Sequence, residues 1–267
     1  MTLLTEFVRP GRDANSPWVL GVGELVSFVV AVAAASLMSR LEGRSVGDYG
    51  LPLQGAFGKL FWVGCLVGLG EVCALMGLIA TFGGYSFGNI TLPGSALLSL
   101  GISWAILFTI VGLFEEFLFR GYTLYTLTEG IGFWPAALVL SASFGLVHRS
   151  NPGEGWAGVA SVVVVGAVLC FALRRTGNLW FCVGLHAAFD FGETFLFSVP
   201  NSGVVFDGHL SNASLHGRAW LTGGSIGPEG SVFNFVTMGM VALAIHVMFP
   251  ARVKESVAGA ADAASAV

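Results

Sequence analysis

Two adjacent glutamates and an arginine, Glu115, Glu116 and Arg120, lie in the run Leu113-Phe114-Glu115-Glu116-Phe117-Leu118-Phe119-Arg120-Gly121, which is otherwise apolar and aromatic. Two further polar clusters follow in similarly apolar stretches: Phe144-Gly145-Leu146-Val147-His148 and His186-Ala187-Ala188-Phe189-Asp190. Ionisable groups within membrane-spanning segments are unfavourable, so they tend to face a bundle interior and mark a functional site. On a helix, Glu116 and Arg120 are four apart and share a face, whereas Glu115 points roughly 100° away. One carboxylate is therefore expected to hold the fold and the other to do chemistry. A carboxylate in a poorly hydrated cavity makes a competent general base near neutral pH. A neutral imidazole can position the attacking water, and a second can hydrogen-bond a developing oxyanion. Both point to water attacking a carbonyl, as in peptide hydrolysis. No serine or cysteine stands out as a nucleophile beside these histidines. The same donors, Glu115, His148 and His186, also make a plausible set for one divalent metal ion such as zinc, with an open position for water.

The elements that must bring these groups together are apolar helices. The chain has 267 residues, 55% hydrophobic and 10% charged, with mean hydropathy +0.80. Soluble domains carry about 25% charged residues. The fold class read from this is all-α: a polytopic transmembrane helix bundle of about seven to eight spans. Seven spans are expected at 18–39, 60–82, 96–127, 134–148, 156–173, 178–197 and 233–249. The third is too long to stand upright and is expected to tilt or to run into the interface. Residues 1–17 read as a polar N-terminal tail, 18–250 as one domain with its motif core at 96–200, and 251–267 as a disordered tail. No cleaved signal peptide is expected, because the first apolar run begins only at Trp18 and has the length of a full span. No internal repeat is seen.

Depth along the spans tests whether the three clusters can meet. At about 1.5 Å per residue, Glu115 lies roughly 18 Å from the 128–133 side, His148 roughly 21 Å, His186 roughly 12 Å and Asp190 roughly 18 Å. Groups on three helices thus reach similar levels, which favours one shared site.

The remaining features have plainer readings. The cysteines Cys65, Cys73, Cys170 and Cys182 fall in apolar segments without CxxC spacing and read as buried thiols. Net charge is −4, and no basic face suggests nucleic acid. Glu71, mid-span, reads as structural, bridging helices or pairing with Arg120. Glu24 is expected to reach the interface, and Glu193, one turn from Asp190, either to sit at a span end or to line the cavity. His246 reads as an interface or interhelix residue. His209 and His216, with Asp207 nearby, make a loop metal site only as a lesser reading. The polar, Gly-rich stretch 198–231 is either an ordinary connector or the lid or rim of a site. Lys and Arg collect seven to four: Arg40, Arg44, Lys59, Arg174, Arg175, Arg252 and Lys254 against Arg9, Arg12, Arg149 and Arg218. By the positive-inside rule the first group is cytoplasmic and the N-terminus lies outside. The site then lies nearer the outer face.

The motifs resemble those of the CPBP intramembrane proteases, the group containing type II CaaX prenyl endopeptidases and bacteriocin-processing or "Abi" proteins. Glu115, Glu116 and Arg120 match that family's Glu-Glu-x-x-x-Arg; Phe144 and His148 match Phe-x-x-x-His; His186 and Asp190 match His-x-x-x-Asn/Asp. The resemblance covers about residues 96–200. It implies that Glu115 activates water, His148 positions it, His186 with Asp190 stabilises the oxyanion, and Glu116 and Arg120 brace the site. Its implied partners are a peptide or protein substrate and the lipid bilayer of the cell membrane. Prenyl endopeptidases carry Asn where this chain has Asp190, and an ionised Asp cannot donate to an oxyanion. They are also expected to work from the cytosolic side, against the orientation just read. Rival readings are a proton- or ion-coupled transporter, in which the same groups would relay charge, and a catalytically silent scaffold or immunity protein on the same fold.

Overall fold

The computed structural model describes residues 16–250. Nine α-helices are found among them: α1 Pro17–Glu42, α2 Lys59–Thr81, α3 Gly94–Glu116, α4 Thr123–Ile131, α5 Phe133–His148, α6 Trp156–Thr176, α7 Leu179–Phe191, α8 Ala219–Thr222 and α9 Val232–Met248. A single two-residue antiparallel pairing joins β1 Tyr85–Ser86 to β2 Ser214–Leu215. The seven expected spans are all present as helices. The long third one is not straight: a π-helical turn, Phe117–Tyr122, separates α3 from α4, and Gly121 leaves helical geometry at ψ −115°. A π-turn with glycine is a common cause of a sharp helix bend, so the extra length is absorbed by a kink rather than by tilt.

Local sequence explains the helix ends. Ser16 caps α1 with Pro17 at its first position, and Gly43 in the left-handed conformation closes it. Asn178 accepts from the Trp180 amide to start α7, and Ser231 from that of Phe233 to start α9.

By length and composition, α1, α2, the α3–α4 unit and α6 can each cross a membrane, and α5 and α9 are shorter apolar helices. Apolar side chains such as Val22, Trp62, Leu138 and Leu243 are exposed on the outside of the bundle, as expected where lipid is the solvent. The protein is an integral membrane protein. At its centre runs α7, in which ten of thirteen residues are buried. It lies against α2 at glycines: a Cβ on Gly64 or Gly68 would run into the carbonyl oxygens of Phe181 and Leu185, and one on Gly184 into that of Phe61. Gly64 and Gly68 are four apart, the small-residue spacing that lets membrane helices touch backbone to backbone.

One end of the bundle is tied by the Arg44–Glu129 ion pair at 2.8 Å and by Arg175 bonding the Phe249 carbonyl and His246. The other carries the 149–155 loop and the 198–231 segment. That segment is built into the bundle: Trp104 donates to the Gly208 carbonyl, Ser225 to that of Gly153 and Ser161 to that of Glu229. Of the residues in the orientation argument, Arg9, Arg12, Arg252 and Lys254 lie outside the described residues, as do most of the N-terminal tail and the whole C-terminal tail.

The buried-thiol reading needs one correction. Cys170 and Cys182 are buried and Cys65 half-buried, but Cys73 is exposed, on the outer side of α2.

Candidate active site

The adjacent glutamates diverge as their helical offset requires. Glu116 is 0% exposed and sits between two partners: Arg120 Nη1 donates to its Oε1 at 3.1 Å, and His186 Nδ1 to the same oxygen at 2.9 Å. Glu115 is 24% exposed, with an oxygen 3.8 Å from His186 Nε2. That nitrogen also faces Asp190 Oδ2 at 3.4 Å. Each ring nitrogen of His186 thus looks at carboxylate oxygen and can donate to it. The imidazole is held in one orientation by α3 on one side and by its own helix on the other.

Arg120 links this arrangement to the third helix. Its guanidinium is buried and lies 4.1 Å from the centroid of the Phe144 ring. Such cation–π contacts contribute about 0.5–2 kcal/mol, more as they are desolvated. Phe144 packs edge-on against His148, with ring centroids 4.6 Å apart. Gly166 of α6 completes the space, since a Cβ there would lie 3.0 Å from Arg120 Nη2. The Glu116–Arg120 pair therefore reaches both histidines, one through a hydrogen bond and the other through an aromatic ring.

His148 is the last residue of α5, and its Nδ1 lies 2.8 Å from the Phe144 carbonyl oxygen. A carbonyl only accepts, so Nδ1 carries the proton. In the neutral ring Nε2 is then an acceptor, suited to hold a water molecule.

Glu115, His148, His186 and Asp190 all line one cavity of about 540 Å³. Glu116 and Arg120 lie behind its wall. The structure thus brings together every residue of the three motifs, five at the cavity surface, Phe144 among them, and two in support. Asp190 is within reach of His186 and orients it.

Other residues reach the same cavity, and the sequence had not singled them out for it. Glu24 lines it, a correction to its expected interfacial position: α1 turns that face inward onto α3. Glu71 lines it too and accepts from Thr237 at 3.4 Å. The suggested pairing of Glu71 with Arg120 is not made, because Arg120 is taken by Glu116. From the 198–231 segment come Asn201, Ser202, Val204, Phe206 and Glu229, so the segment is a wall of the site, not a bare connector. The only signal for this was its length and its Gly-Pro-Glu-Gly turn at 227–230. Ser202 binds both Glu229 oxygens through its hydroxyl and one through its amide. Burial above all, then the nearby charge of Asp190, pushes the Glu229 carboxyl up to about 8. Glu193 is fully buried near the end of α7, behind the lining, not at an exposed span end.

The metal readings fare differently from the cluster itself. Among the described residues no three His, Cys, Asp or Glu side chains converge as a metal-ion set. His186 Nδ1 and His148 Nδ1 are each engaged with protein oxygen, so in the set Glu115, His148 and His186 Nε2 is the nitrogen of each ring that could meet a metal ion. In the loop, His209 bonds the Ser211 carbonyl and His216 the Ser214 hydroxyl.

Residues 96–192 match the family model described as type II CAAX prenyl endopeptidase Rce1-like. This stretch is similar to Rce1-like domains. All seven motif residues, Glu115 to Asp190, fall inside the Rce1-like match, whereas Glu24, Glu71 and the 198–231 wall fall outside it. Comparison with curated proteins and with solved structures returned no match.

Proposed function

We propose that the protein is a multi-pass endopeptidase of the cell membrane, of the CAAX-protease-like kind, which hydrolyses a peptide bond at or near the bilayer with water activated by Glu115. The observation that supports this best is the division of labour within the glutamate pair. Glu116 is locked by Arg120 and His186, while Glu115 is the member of the pair that presents its carboxylate to a cavity shared with His148 and His186.

In the first step Glu115 takes a proton from a water molecule oriented by His148 Nε2, and the water oxygen bonds to the carbonyl carbon of the substrate. The carbonyl π electrons move onto its oxygen, and the resulting oxyanion accepts a hydrogen bond from the Nε2–H of His186. The C–N bond then breaks, the oxyanion electrons re-form the carbonyl, and Glu115 returns its proton to the leaving amine. Asp190 acts on His186 and makes no contact with the oxyanion. No step is routed through a metal ion.

The test is purified full-length protein in detergent with a quenched peptide library. Hydrolysis is expected from the wild type and not from Glu115→Gln or His148→Ala, with thermal unfolding of both variants retained. Proton flux in liposomes driven by a small solute, with no peptide cleavage, would instead support the transporter reading.

A further inference from the structure

The cavity is lined by five carboxylates, Glu24, Glu71, Glu115, Asp190 and Glu229, and by no lysine or arginine. Two of these, Glu115 and Asp190, belong to the motif cluster. Glu71 and Glu229 stand on α2 and on the turn before α9, near enough for their charges to interact. Glu193 lies behind them, fully buried.

Carboxylates crowded together need a reason. Both oxygens of Glu229 are met by Ser202, and Glu116, though its Oε2 is also unmet, has a cationic partner in Arg120. Glu71 is different: it is 4% exposed, its Oε1 accepts from Thr237, and its Oε2 meets no donor although the residue faces the cavity. An acceptor left without a donor in a buried site is unfavourable by about 1–3 kcal/mol, and more if charged. A cation entering beside Glu71 and Glu229 supplies that donor and turns mutual repulsion into attraction. A metal ion is a poor candidate, because no three-ligand set converges among the described residues. An alkyl ammonium or guanidinium needs no such set. Val162, Phe189 and Met238 line the same cavity and give an apolar path for the methylene stem of a long basic side chain.

We infer that the Glu71–Glu229 side of the cavity is a subsite for a lysine or arginine side chain of the peptide substrate, so that the enzyme selects cationic segments. This deepens the endopeptidase reading and rests on it for hydrolysis, but peptide binding tests it separately.

The experiment uses full-length Glu115→Gln protein in detergent, which holds a peptide without cutting it. Fluorescence anisotropy reports binding of matched labelled peptides that carry lysine, N-acetyl-lysine or glutamate at one scanned position. The lysine peptide is expected to bind more tightly than its acetylated twin by at least about tenfold, the order seen when a buried charge loses its partner. Adding Glu71→Gln or Glu229→Gln is expected to bring that ratio to within about twofold, by the same argument. Equal binding of lysine and acetyl-lysine peptides, or a preference for glutamate, would overturn the inference. So would a lysine preference that survives both substitutions. The comparison among peptides on the parent protein decides even if a second substitution prevents folding. Should lysine-selective binding hold while the wild type cleaves nothing, the subsite stands and the endopeptidase reading fails.

Discussion

At the scale of single residues, the argument turns on two neighbours of the same type with different fates. Glu115 and Glu116 differ by one position on a helix, which is enough to put one in the cavity and the other in an ion pair with Arg120. Substitution to glutamine should separate them. Glu115→Gln keeps the shape but cannot take a proton, so kcat is expected to fall by about 10²–10⁴ with Tm unchanged. Glu116→Gln leaves a buried guanidinium without its counter-charge, which is unfavourable by about 3–5 kcal/mol, so Tm should fall as well. Equal loss of Tm in both variants would remove the distinction. Arg120→Lys provides a finer test. It keeps the charge but loses the flat face that lies over Phe144. Activity should drop while most of the stability remains, and the loss should appear in kcat because the His148 side of the site loosens. This division within the glutamate pair was legible in the sequence, since helical periodicity alone separates positions 115 and 116. The role of Glu24 was not, because a glutamate seven residues into an apolar helix reads the same whether it faces headgroups or a cavity.

Elements decide how firmly α7 holds His186 and Asp190. Beyond the His186–Glu116 hydrogen bond, the position of the helix is set by backbone contact with α2 at Gly64, Gly68 and Gly184. Gly68→Ala would push α2 away from Leu185, the residue next to His186. The expected result is a loss of hydrolysis of at least about tenfold, the order found when catalytic groups shift by around 1 Å, with Glu115, His148 and His186 all intact. Gly70→Ala is the matching control, because nothing lies within 4 Å of a Cβ there; it should behave as wild type. If both variants are equally active, the α2–α7 contact does not set the site. The seven spans were readable because apolar length is a strong signal. The bend at Gly121 was not, since a glycine within an apolar helix does not by itself announce a π-turn. Nor was the packing of the 198–231 wall, whose contacts with Trp104, Gly153 and Ser161 are all distant in sequence.

For the molecule as a whole, that wall is the one part of the site outside both the long helices and the Rce1-like match, and Glu229 ties its docking to pH. The carboxyl is pushed from its ordinary value of 4.5 to about 8, first by burial and then by the charge of Asp190. Glu154, in the 149–155 loop, is shifted in the same direction, again mainly by burial, with Arg149 pulling back. A raised carboxyl binds its proton more tightly in the folded chain than in the unfolded one. Between pH 4.5 and about 8 unfolding therefore releases protons, and stability falls as pH rises, because the slope follows the excess of protons on the unfolded state and that excess is negative here. Below the ordinary value both states are protonated, and the contribution is fully present. Above about 8 both are ionised, and it is gone. Wild-type Tm in detergent should thus decline from pH 5 to pH 8, on a scale set by 4.5 and about 8, and Glu229→Gln should flatten most of that decline. A decline of the same steepness in the variant would assign it to other groups and would separate the docking of the wall from the titration of Glu229.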